Sequence, residues 1–115
     1  LLILVGRSNT QNDQLTRDAM KSDYWFHTQR IHGSHVILCT RGREPDSRSL
    51  QEAAMLAAWF SQGRDSGQVA VDYTQIRHVR KPSGARPGMV IYDSYQTAYV
   101  TPQEALVRAL SEDRR

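Results

Sequence analysis

Apolar positions along this chain fall in short blocks, each closed by Gly, Pro or a charged cluster. The run LLILVG, residues 1–6, is continuously apolar until its glycine and predicts a strand. In the polar stretch that follows, Asn12, Leu15, Thr16 and Ala19 share one stripe at helical spacing. That spacing predicts a helix from Ser8 or Asn9, capped by Asn9, with a weakly apolar face. Residues 23–40 read as a β-hairpin whose loop holds Arg30, Ile31, His32 and Gly33. A register centred on Ile31 pairs Phe26 with Val36, Tyr24 with Leu38, Trp25 with Ile37 and His27 with His35. One face is then ordinary core. The other, expected at the surface, sets two histidines beside a tryptophan.

Residues Ser49 to Gln62 carry the clearest helical pattern, with Ser49 and Glu52 at capping-box spacing and Gly63 placed to stop it. Alanines at 53, 54, 57 and 58 would let this helix lie close to a sheet. Val69–Tyr73 and Gln75–Val79 predict strands, and RKPSGARPG, residues 80–88, predicts a basic loop. Met89–Tyr92 and Thr97–Val100 then flank the turn DSYQ as a second hairpin. Thr101, Pro102 and Glu104 supply cap, first-turn proline and capping-box acid for a last helix. This order predicts an α+β fold, a largely antiparallel β-sheet with helices packed on one face, as a single domain over residues 1–115.

Composition narrows the chemistry. With 115 residues and 39% hydrophobic content the chain can bury one core. It has a single cysteine, Cys39, no charged leader pattern and no apolar run near the roughly 20 residues of a membrane span. The expectation is a cytoplasmic protein with no membrane partner. The net charge is +3, yet only Lys21 and Lys81 are lysines. Arginine's planar fork binds phosphate in a bidentate way and stacks on bases, so the partner implied is an anion, RNA above others.

Three readings of the candidate residues compete. His27, His32 and His35 have the form H-x4-H-x2-H, but no second cysteine or carboxylate pair completes a zinc set, so no metal and no cofactor are expected. As acid and base with Asp13 or Asp72, His27 and His35 would serve a phosphoester hydrolase. Cys39 and Ser34 read as structural. The leading reading is a non-catalytic RNA-binding surface. In it Arg7, Arg77, Arg80, Lys81 and Arg86 contact phosphate, and small residues at Pro82, Gly84, Pro87 and Gly88 let backbone approach. Asn9, Asn12 and Asp13 shape a pocket at the helix start. His27, His35 and Trp25 form a polar-aromatic patch that could stack on an unpaired base. A third reading makes the Trp25 patch a protein-docking site.

The stretches VGRSNTQNDQLT, DYWFH, GSHVIL, EAAMLAAWFSQGR, VAVDYTQIRHVRKPSGARPGMVIY and TAYVTP occur here in order. In that order and spacing they resemble the NFACT-R domain, the RNA-binding module of the RqcH/NEMF proteins, once called fibronectin-binding-like. The family's Gly-Arg-x-Asn-x-Gln-Asn-Asp element falls on Gly6, Arg7, Asn9, Gln11, Asn12 and Asp13, and its Trp-Phe-His on Trp25, Phe26 and His27. Its Gly-Ser-His falls on Gly33, Ser34 and His35, and its basic loop on Arg80, Lys81, Pro82, Gly84, Arg86, Pro87 and Gly88. The resemblance implies a part in ribosome-associated quality control. In that family the full-length protein binds stalled large ribosomal subunits bearing peptidyl-tRNA and, with tRNA, adds a C-terminal tail. It therefore implies tRNA or ribosomal RNA and the large ribosomal subunit as partners, with other domains of a longer parent alongside. The family's N-terminal domain, helix-hairpin-helix and coiled coil have no counterpart in these residues, so tailing itself is not implied.

Overall fold

The computed structural model describes residues 1–112. Its elements run β1 (Leu2–Val5), α1 (Asn9–Asp18), β2 (Tyr24–Thr28), β3 (Val36–Cys39), α2 (Ser47–Trp59) and β4 (Val69–Gln75). After a 3-10 turn at Ile76–His78 come β5 (Val79–Arg80), β6 (Ile91–Tyr92), β7 (Gln96–Val100) and α3 (Glu104–Glu112). Five strands form one antiparallel sheet in the order β1-β3-β2-β4-β7, and β5 and β6 form a separate ribbon. The α+β architecture is the expected one. No helix among the described residues is long and apolar enough to cross a membrane.

The hairpin register is as the spacing implied: Tyr24 pairs with Leu38, Trp25 with Ile37 and Phe26 with Val36. Alternation along the strands then sends two sets of side chains to two faces. Ile3, Phe26, Val36, Leu38, Val69 and Val71 pack under α2, whose alanines at 53, 54, 57 and 58 are wholly buried and admit close approach to the sheet. Val107 of α3 joins this core. On the opposite face Trp25 and Ile37 pack with Leu15 and Ala19 of α1 and with Val79, Val90 and Tyr92 around the ribbon. The helices therefore do not all lie on one face. Leu15 and Ala19 pack α1 on the side of the sheet that α2 leaves open.

Three local expectations are corrected. Ser8, not Asn9, caps α1, its hydroxyl accepting from the Gln11 N–H at 3.1 Å. Helix α2 begins at Ser47 because Asp46 caps it, accepting from the Ser49 N–H at 2.7 Å, and it ends at Trp59 rather than Gln62. Gly63 instead gives room to Ile31 and Val69, which would stand within 3.0 Å of any Cβ there. The second hairpin does not form. Strand β6 returns to pair with β5, and β7 pairs with β4. Thr74 Oγ1 lies 3.2 Å from the Asp93 carbonyl and 3.1 Å from that of Ser94, and Ser94 adopts a left-handed conformation with φ 53°. These hold the turn so that Tyr92 folds back over Trp25, with ring centroids 4.6 Å apart. Burial of that pair outweighs the local hairpin pattern.

Phe26 is fully buried at the centre of the α2 face and its ring stacks on Tyr73 at 5.4 Å. Phe26→Ala should lower unfolding free energy by about 3–5 kcal/mol in urea denaturation. A loss under about 1 kcal/mol would mean that the core is not organised around this position.

Candidate functional site

Four segments converge at the N-terminal end of α1: the Gly6–Asn12 turn, the β2–β3 loop, the end of α2 and the basic loop. Each is tied by a specific contact. Gly6 N–H donates to the His35 carbonyl at 3.0 Å. A Cβ at Gly6 would lie 2.0 Å from Asn12 Oδ1, so only glycine lets the strand pass this close to the helix. Asn12 is buried, and its Oδ1 accepts from the His35 N–H at 3.1 Å. The β2–β3 loop is laced to the end of α2 by Ser34 N–H to the Phe60 carbonyl and Gln62 N–H to the His32 carbonyl, both 2.9 Å.

The basic loop is fastened by one carboxylate. Asp13 Oδ1 accepts from the Gly88 N–H at 2.8 Å and from Lys81 Nζ at 3.2 Å. Lys81 Nζ also donates to the carbonyls of Arg86 at 2.6 Å and Met89 at 3.2 Å. An ammonium has three N–H donors, and these three acceptors use them all. Lys81, expected to contact phosphate, is here engaged in holding the loop in shape. Partial burial pulls the Asp13 carboxyl up, but the Gly88 N–H and the Lys81 charge outweigh that and keep it below its ordinary value.

The histidine-tryptophan patch is not at the surface. Trp25 is 0% exposed and His35 2%, because α1 and the 88–92 segment cover this face, while His27 is half-buried. The rings of His27 and His35 meet edge to face at 5.3 Å, and His27 stacks on Trp25 at 5.8 Å. Thr16 Oγ1 donates to the Asn12 carbonyl at 2.8 Å and so accepts from His35 Nδ1–H, at 3.1 Å. Burial, then the neighbouring His27, lower the His35 pKa from 6.5 to about 4, and burial lowers that of His27 as well. His35 thus serves as a neutral packing and hydrogen-bonding group, which gives the two-histidine acid–base reading no support. His27, His32 and His35 do not converge on a metal position with a third donor among the described residues. Among the described residues Trp25 Nε1 is buried without a hydrogen-bond partner, a loss of about 1–3 kcal/mol for such a donor.

What remains open is a pair of adjoining clefts that share Asn9, Asn12, His32 and Gly33. Arg7 and Arg64 line one, Arg30 and Arg86 the other, and no Asp or Glu among the described residues lines either. Two of these guanidiniums are held over rings, Arg7 over Phe60 at 4.4 Å and Arg64 over Trp59 at 4.6 Å. Arg64 Nε also donates to the Trp59 carbonyl at 2.9 Å. Arg7, Asn9 and Arg86 thus come together. Arg77 and Arg80 do not: they are exposed but line neither cleft, and Arg80 pairs with Asp93 at 3.4 Å. Arg30, Arg64 and His32 also line the clefts, and the sequence reading had not placed them there.

The profile of the NFACT protein RNA binding domain family matches residues 1–93. Among curated proteins, the chain is 52% identical over 113 residues to "Rqc2 homolog RqcH" of Bacillus subtilis, covering 97% of this chain and 20% of that protein. It is 42% identical over 110 residues to the protein of the same name from Streptococcus suis, covering 95% of this chain and 20% of that protein. The chain thus spans about a fifth of the length of these relatives. A solved structure, "The structure of the C-terminal of the fibronectin/fibrinogen-binding protein from Streptococcus suis (FBPS)", superposes with a TM-score of 0.89 at 42% identity, covering 93% of this chain and 43% of that one.

Because His35 is neutral when folded and protonates below 6.5 when unfolded, unfolding takes up a proton and stability falls as the pH drops from about 6.5 toward 4. The loss over that window should be about 3 kcal/mol in urea denaturation, with His27 adding in the same direction. The Asp13 contribution has its own window, complete above 3.8 and lost as the pH falls through its depressed value. His35→Gln should flatten the dependence between pH 6.5 and 4. A wild-type stability constant across that range would contradict the burial of the neutral ring.

Proposed function

The chain belongs to the NFACT RNA-binding domain family, and from that premise we propose that it binds RNA through the arginine-lined clefts at the start of α1, without catalysis of its own and without metal or cofactor. The observation that carries this reading is the charge pattern of the clefts. Arg7, Arg30, Arg64 and Arg86 border a concave surface with no carboxylate on it among the described residues. Between them the N-terminal turn of α1 adds the positive end of its dipole. The shape suits a folded or single-stranded RNA segment better than a rigid duplex, because a concave site can take a backbone that bends into it. On the strength of its relatives, the RNA is a tRNA or ribosomal RNA met on the large ribosomal subunit. The setting is ribosome-associated quality control in the cytoplasm. Residues 1–115 act as one folded unit within or beside the other parts of such a protein. Arg77 and Arg80 belong to a separate basic surface that this reading does not use.

Titration of the domain with tRNA over a salt series tests it. Neutralising four phosphates gives log K against log[salt] a slope of about −3 for single-stranded or loop RNA. Arg7→Ala, Arg30→Ala, Arg64→Ala and Arg86→Ala should each reduce that slope by about 0.7, while Arg77→Ala should leave it nearly unchanged. A flat slope, a slope carried by Arg77 and Arg80, or cleavage of the tRNA would contradict the reading.

A further inference from the structure

The wider cleft is more than a basic groove. Behind its arginine rim the walls are apolar and aromatic: half-buried His27, Ile31, Val90 and Tyr92, with Met89 57% exposed at the mouth. Resting on the RNA-binding reading of the clefts, we infer that this inner space is a pocket for one unstacked nucleobase, whose phosphates lie on Arg30 and Arg86.

Three features favour a nucleobase as the occupant. The first is the combination of walls and rim. A nucleotide is a flat apolar ring joined to an anion, and the cleft offers flat rings and flexible apolar side chains within, and guanidiniums without. Its volume of about 910 Å³ falls in the range of small-molecule sites, ample for a base and its sugar. The second is the state of His27. Burial lowers its pKa, so it is held as a neutral ring stacked on Trp25, at 5.8 Å with planes 13° apart. A neutral, braced ring suits a base face without drawing a second phosphate to the pocket floor. The third is the unpartnered indole N–H of Trp25, which belongs to the same wall. Every nucleobase carries edge acceptors of the kind that such a donor lacks. Tyr92 is not available for that role, since its hydroxyl already donates to Asp72 Oδ2 at 2.5 Å. Trp25 therefore backs the pocket and does not stack directly on the base.

The test compares a short single-stranded oligoribonucleotide with a chain of equal length whose central residues are abasic, each titrated over the same salt series. Both carry the same phosphates, so the salt slopes should agree. The base-bearing chain should bind about tenfold tighter or more, as expected for one stacked base. Met89→Ala, at an exposed position of the pocket mouth, should narrow that gap several-fold. In a Trp59→Phe background, where Trp25 is the sole indole, the emission should shift with the base-bearing chain only. Equal affinity for the two chains, with a clear salt slope, would overturn the base pocket and leave the RNA-binding reading standing. No measurable binding of either chain would overturn both.

Discussion

One half-buried carboxylate holds the site together. Asp13 accepts from the backbone of Gly88 and from Lys81, and Lys81 in turn gathers the carbonyls of Arg86 and Met89. A loop rich in Pro and Gly has little regular structure to hold it, and its arginine would otherwise sample a wide volume. The carboxylate and ammonium together convert it into a wall with a defined shape. Gly88 sits at φ +84°, a conformation that glycine adopts without strain, and a Cβ there would meet Asn9 Oδ1 at 2.8 Å. The loop can approach the first turn of α1 only because that residue is a glycine.

Beneath this wall lies a buried polar layer that explains why the patch face is not ordinary core. Asp72 is 1% exposed and accepts from Tyr92, Thr97 and Gln29, three neutral donors. His35 is satisfied through Thr16 and Asn12. These bonds fix the positions of α1 and the ribbon on the sheet. The arginines around the cleft are thereby presented on rigid supports, two of them over aromatic rings, so less side-chain freedom is lost when an anion arrives.

Much of this was legible in the residues. The hairpin register followed from alternation about Ile31, and the helix-forming stripe of α1 placed Asn12 and Thr16 where they meet His35. The errors share a cause. Sequence spacing assigns side chains to faces of a sheet, but says nothing of what later covers a face. Trp25 and His35 were placed on the correct face and wrongly left in solvent, because the cover comes from α1 and from a ribbon whose pairing is non-local. The second hairpin failed for the same reason: Tyr92 finds Asp72 and Trp25, partners 20 and 67 positions away in sequence. Lys81 looked like one more phosphate ligand in a basic run, and only its three acceptors reveal its structural task. Arg64 and Arg30 were overlooked because each is a lone cation beside its element, brought to the cleft by the bridge between Gly33 and Ser61.

The account stands or falls on where RNA touches the domain. The measurement that asks this directly is backbone and arginine side-chain NMR of the labelled domain titrated with tRNA. Shifts and broadening should centre on Gly6–Asn12, Arg30–Ser34, Arg64 and Arg86–Met89, with Arg77 and Arg80 little affected. Perturbations centred on Arg77 and Arg80, or spread evenly over every basic residue, would contradict it.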